Sequence, residues 1–157
     1  MSKLIRVAGI GLALFLAASA ASASPRSGAL VATGKSTFGQ ILVNAQGRTL
    51  YLFEKDKNGK SACSGACASF WPPLLTAGKP TVGKGVNASL LGTTRRADGH
   101  TQVTYNGHPL YTFKLDTNAG QTKGQNSKAF GAEWYVLSPK GAKIEKASRA
   151  GGGGYNG

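Results

Sequence analysis

Gly47-Arg48-Thr49-Leu50-Tyr51-Leu52-Phe53-Glu54-Lys55-Asp56 and Gly107-His108-Pro109-Leu110-Tyr111-Thr112-Phe113-Lys114-Leu115-Asp116 are two versions of one stretch, Gly-x-x-Leu-Tyr-x-Phe-x-x-Asp, sixty residues apart. Each is followed by Trp-x-x-Leu, at Trp71/Leu74 and Trp134/Leu137, with three more residues inserted in the second. Five identities at one offset in a ten-residue window identify an internal duplication, which bounds the architecture before any element is assigned. Within each copy Tyr and Phe lie two apart, so on a strand they share one face of a sheet while the flanking residues take the other. Tyr51/Phe53 and Tyr111/Phe113 thus read as paired core aromatics on equivalent strands, with a ligand platform as the sharper alternative.

Working outward, the pattern is of short strands joined by turns. Ile41-Leu42-Val43 and Thr49–Phe53 flank the polar turn Asn44–Gly47 and read as a hairpin. Leu90–Arg96, Thr101–Tyr105 and Pro109–Phe113 are strand candidates separated by Asp98-Gly99 and Asn106-Gly107, both two-residue hairpin signals. A short helical turn is expected near Cys63–Phe70, stopped by Pro72-Pro73. Thr76–Ala88 reads as the connection between halves, Thr117–Gly131 as a polar loop too poor in apolar residues to be buried, and Trp134–Leu137 as the closing strand. The expected fold is mainly β, antiparallel hairpins and meander in two pseudo-repeated halves with at most one short helix.

The ends read differently. Lys3 and Arg6 precede an apolar run, Val7–Ala18, and Ala21-Ser22-Ala23 fits a leader-peptidase site, so cleavage is expected between Ala23 and Ser24. The run is too short to cross a bilayer, which takes ~20 apolar residues. The expected organisation is a signal peptide at 1–23, a flexible lead-in at 24–35, one β domain at 36–145 with repeats at about 39–79 and 99–141, and a glycine-rich disordered tail at 146–157. The expected location is periplasmic or secreted.

Nineteen Lys and Arg against six acids give a net charge of +13, and losing Lys3 and Arg6 with the leader lowers it to +11. Such a surface is drawn to anionic partners, which outside the cytoplasm are envelope polymers and lipids. The basic residues are spread along the chain, so nucleic acid is not specifically indicated.

Cys63 and Cys67 are the only cysteines, and export makes a disulfide their default state. A regular helix holds i and i+4 Cβ atoms about 5–6 Å apart, whereas a disulfide wants about 3.8 Å, so the segment must bend, and Gly65 permits that. So small a closed loop contributes only about 2 kcal/mol. A redox or metal pair is the alternative: Cys63/Cys67 with His100 and His108, the only histidines, as an envelope redox or copper- or haem-handling site. No methionine remains after cleavage to serve as the axial ligand of a blue-copper site. Asp56 and Asp116 resemble parts of calcium loops but lack the carboxylates such a site needs, and read as turn caps. Glu54 and Asp56 are the nearest carboxylate pair, a remote hydrolase option. With no G-x-S-x-G or H-E-x-x-H, the chain is expected to be a non-catalytic envelope binding or structural domain without a cofactor.

Leu50–Asp56, Lys60–Ala68, Trp71-Pro72-Pro73-Leu74, Arg96–Gly99, Gln102–Tyr111 and Phe130–Trp134 together resemble the bacterial "secreted repeat of unknown function", predicted lipoproteins with a Tyr-x-(aromatic)-x-x-Asp motif, over about residues 39–141. The resemblance implies an envelope location and that repeated fold, with no catalytic residues to carry over. Many members have a lipid-modified cysteine after the leader, and none follows the apolar run here, which implies a soluble form.

Overall fold

The computed structural model describes residues 27–146. The leader with its Ala23/Ser24 junction, the first residues of the lead-in and the tail beyond Lys146 lie outside the described residues. The strands are β1 (Leu30–Ser36), β2 (Gly39–Asn44), β3 (Tyr51–Phe53), β4 (Thr81–Val82), β5 (Leu91–Arg95), β6 (Thr101–Tyr105), β7 (His108–Pro109) and β8 (Trp134–Val136), with one short helix, α1 (Ala66–Phe70). They form three small sheets ordered β2-β1-β4, β3-β8 and β5-β6-β7. All pairings are antiparallel except β1 with β4. The fold is mainly β in two repeats with one helical turn where the cysteines fall.

Several readings from sequence need correction. The lead-in is structured from Leu30 onward: β1 pairs with β2 from Val31↔Asn44 to Ser36↔Gly39. Its small residues serve packing, since a Cβ on Gly34 would sit 2.9 Å from a Val43 methyl carbon. β2 thus has β1 as its partner, and the expected β2–β3 hairpin is reduced to the bridge Val43↔Thr49 and two bonds, from Asn44 N–H to Arg48 O and from Leu50 N–H to Leu42 O. The second correction is the loop at 117–131. Gly124 is buried within it, and a Cβ there would lie 2.5 Å from the Trp71 ring. Polar composition hides this because the loop packs through backbone.

The hairpins of the second half follow their turn residues. Asn106 (φ 49) and Gly107 (φ 77) form a two-residue turn between Tyr105 and His108, the positive-φ pair a type I′ turn requires. Asp98-Gly99 belongs to a three-residue loop instead, closed by Arg96 N–H to His100 O and Gly99 N–H to Arg96 O.

The core has two layers divided by β3, as its alternation requires. Tyr51 and Phe53 join Ile41, Val43, Trp71, Tyr111, Trp134 and Val136 on one side. Leu50 and Leu52 join Val31, Leu42, Val103, Tyr105, Leu110 and Leu137 on the other.

Candidate functional site

The two repeats meet at their tyrosines. Tyr51 N–H donates to Tyr111 O at 2.8 Å and Tyr111 N–H to Tyr51 O at 3.0 Å, so an approximate two-fold axis runs between them. The same reciprocity extends outward. Leu42 N–H donates to Leu137 O and Val103 N–H to Leu74 O, so each Trp-x-x-Leu leucine caps a strand of the other repeat. The strand of Tyr51 pairs with β8, Phe53 opposite Trp134. The segment of Tyr111 pairs with Trp71–Pro73 through the bridge Pro73↔Tyr111, with Thr112 N–H on Pro72 O and Lys114 N–H on Phe70 O. That second pairing stays irregular because Pro72 and Pro73 have no N–H to return. Each repeat has therefore given its Trp-bearing segment to the other.

The side chains repeat the exchange. Tyr51 Oη donates to Asp116 Oδ2 at 2.5 Å, and Tyr111 Oη donates to Asp56 Oδ2 at 2.8 Å. Each aspartate also accepts a backbone N–H from its own loop, Asp56 from Ala62 (2.7 Å) and Asp116 from Lys123 (2.9 Å). Four rings stack across the axis in the order Phe53, Trp134, Trp71, Phe113, with centroid separations of 4.0, 3.9 and 4.2 Å. Tyr51 meets the Trp71 edge at 5.3 Å and Tyr111 the Trp134 edge at 5.1 Å, both nearly perpendicular. Offset-stacked and edge-on pairs are the favoured aromatic arrangements. The candidate aromatics are thus largely core, and the aspartates, besides capping their loops, anchor the opposite repeat.

The loops beyond the aspartates differ. In the first, Cys63 and Cys67 form a disulfide with a Cα separation of 5.3 Å; Gly65 (φ 55) sits between Cys63 and the start of α1, and both sulfur-bearing residues are buried. Arg96 lies buried against this loop, bonded to Ser61 Oγ, Cys63 O and Gln102 Oε1 at 2.8 Å each and to Asp98 at 3.0 Å. Ser61 Oγ lies 2.7 Å from Tyr111 Oη, which connects the loop to the axis. The second loop is tied through its backbone N–H groups and one glutamine: Gly124 N–H reaches Tyr51 Oη, and Gln121 Oε1 accepts from the N–H groups of Thr117 and Asn118.

Burial raises the Asp56 carboxyl to about 6, against the opposing Ala62 N–H, Tyr111 hydroxyl and Arg96 charge. Burial also raises Asp116, which is fully buried, and both tyrosine hydroxyls are held well above their ordinary value by burial and the facing carboxylate. Asp98 moves the other way, to about 2, held first by the His100 N–H and then by Arg96.

The remaining candidates do not converge. His100 and His108 stand at opposite ends of β6, five strand steps or roughly 16 Å apart. His100 is exposed beside Asp98 at 3.2 Å, while burial lowers the pKa of His108. Among the described residues no group of three or more His, Cys, Asp and Glu side chains is placed to hold a metal ion. Glu54 faces Lys143 at 3.4 Å while Asp56 faces the axis, so the pair has no common substrate position. Sequence reading missed Arg96, Ser61, Gln102 and Gly124. For Arg96 a signal existed: it follows the buried Thr94 at the two-residue period of an inward-facing strand.

Fold and centre together define a class, an all-β domain of two interlocked repeats closed by exchanged Tyr–Asp pairs and an aromatic stack. The family model described as "secreted repeat of unknown function" matches residues 32–75 and 92–138, and the chain belongs to that family. Each match holds one copy of the Tyr-x-Phe-x-x-Asp stretch together with its Trp-x-x-Leu. No curated protein and no solved structure matches the chain. Among the described residues no helix is long and apolar enough to cross a membrane.

Proposed function

We propose that the protein is a non-catalytic domain of the bacterial cell envelope that holds to anionic surfaces through its positive charge. One observation carries this reading: five of the six acids are engaged within the molecule, whereas most of the bases stand exposed. Tyr111 takes Asp56, Tyr51 takes Asp116, Arg96 and His100 take Asp98, and Lys143 takes Glu54 and Glu145. Thirteen lysines and arginines among residues 27–146 are exposed, against those few neutralising contacts. The surface field is therefore positive over much of the molecule, which favours association with polyanions by long-range attraction. The chemistry at the two-fold axis supports a scaffold: its titratable groups are bonded to one another and face no common cavity.

The test uses protein purified after export, its mass checked for loss of the leader. Retention on vesicles containing phosphatidylglycerol and on soluble polyphosphate at low salt, falling steeply as salt rises, is the expected result. If neither probe is retained at low salt, the reading is wrong. Copper or haem in the exported protein by native mass spectrometry would turn attention to the histidines instead.

A further inference from the structure

Phe70, Leu115 and Phe130 are large apolar side chains left 47%, 53% and 39% exposed, and they lie together. Phe70 at the end of α1 is 6.3 Å from Phe130, ring to ring. Together with Trp71, Phe113 and Ala129 they line a shallow concavity of about 280 Å³ whose floor is the outer end of the aromatic stack. Phe130 has φ 63 and ψ 23, a left-handed conformation that is a genuine outlier for a bulky side chain. The fold holds it there by Trp134 Nε1–H bonding to Ala129 O and Lys55 Nζ reaching Phe130 O, and the residue, set against Phe70, still stays 39% exposed. Strain of that kind, kept on a ring that remains partly open to solvent, points to use.

The rim is cationic. Lys114 Nζ lies over the Phe70 ring at 5.5 Å, Lys55 is bonded at Phe130, and Lys128 precedes the short turn Ala129–Gly131. All three lysines are exposed. Apolar side chains at the tip with lysines around them match an anionic lipid surface, where rings and leucine enter the headgroup boundary and ammonium groups meet phosphates.

We infer that the face of Phe70, Leu115 and Phe130, rimmed by Lys55, Lys114 and Lys128, is where the protein docks on an anionic lipid bilayer. This rests on the attraction to anionic surfaces argued above and adds to it a direction and a partner. A bilayer gives the face both an apolar interior and phosphates, whereas a soluble polyanion gives phosphates alone.

The exported protein and two variants test it, one Phe70→Ser/Leu115→Ser and the other Phe130→Gly, with phosphatidylglycerol vesicles and soluble polyphosphate as the probes. Glycine suits the positive φ at 130, so the second variant relieves backbone strain as it removes the ring, and its fold is checked by thermal melting. The expected result is a vesicle partition lowered on the order of tenfold by the double variant, and severalfold by Phe130→Gly, from lost apolar burial. Polyphosphate binding stays unchanged in both. Equal losses on both probes, or no loss on vesicles, overturn the assignment of this face while leaving the general attraction intact. Loss of binding to both probes in the parent protein removes the attraction itself. A lipid-free dimer that Leu115→Ser dissociates also overturns it, by showing that a second copy covers the face.

Discussion

Asp56 and Asp116 do the same work in different surroundings. Both receive the tyrosine hydroxyl of the other repeat and an N–H from their own loop six or seven residues on. Asp56 is half-buried beside Ser61 and the Arg96 guanidinium, in a loop closed by a disulfide. Asp116 is fully buried, under a loop that is held by its own backbone and by Gly124 lying on Trp71. The shared part is the exchange between repeats, and the loops are alternative ways of keeping each carboxylate in place. A duplicated chain can thus let its loops diverge while the contacts across its axis stay matched.

The heaviest way to break that match is at the ring stack. Trp134→Ala and Trp71→Ala each remove one of the two central rings, and each is expected to cost about 3–5 kcal/mol, read by chemical denaturation. If the two costs differ severalfold, the repeats do not share the axis equally. Next come the hydroxyls. Tyr51→Phe leaves the buried Asp116 and the Gly124 N–H short of a partner and should cost about 2–3 kcal/mol, while Tyr111→Phe, beside half-exposed Asp56 with Ser61 at hand, should cost about 1 kcal/mol. Equal costs would mean that burial does not separate the two aspartates.

The remaining effect is in pH. The folded carboxyl of Asp56 holds its proton up to about 6, against an ordinary 3.8, so the folded state binds the proton more tightly than the unfolded chain. Its contribution is present below 3.8 and lost as pH rises towards about 6. Asp56→Asn has no such loss, so its stability relative to the parent should improve across that window and level off above it. A flat difference in thermal midpoints from acid to neutral pH would show that Asp56 is not desolvated.

Much of this was legible in the chain. The duplication gave the two-fold relation, alternation in β3 divided the core correctly, and the turn residues located the β5–β6–β7 meander. Partner choice was hidden. Nothing in Leu50–Phe53 distinguishes a hairpin mate at 41–43 from β8 more than eighty residues away, because either presents apolar residues at a two-residue period. The identity of the two motifs did not reveal that each tyrosine reaches the aspartate of the other copy, since two copies of one pattern are equally consistent with pairing inside each repeat. β1 was missed because small residues chosen for close packing look the same as those of a flexible leader.

The crossed pairing also sets an order of events. β1 and β2 are neighbours in the chain and close on each other as soon as both are free to pair. β3 has no such neighbour: its mate is Trp134–Val136, and Tyr51 waits for Asp116. A chain emerging amino end first therefore keeps half of its aromatic layer unsatisfied until nearly all of the domain has emerged. Closure is then a single late step that joins both repeats, and a chain truncated before Trp134 lacks the ring that stacks between Phe53 and Trp71.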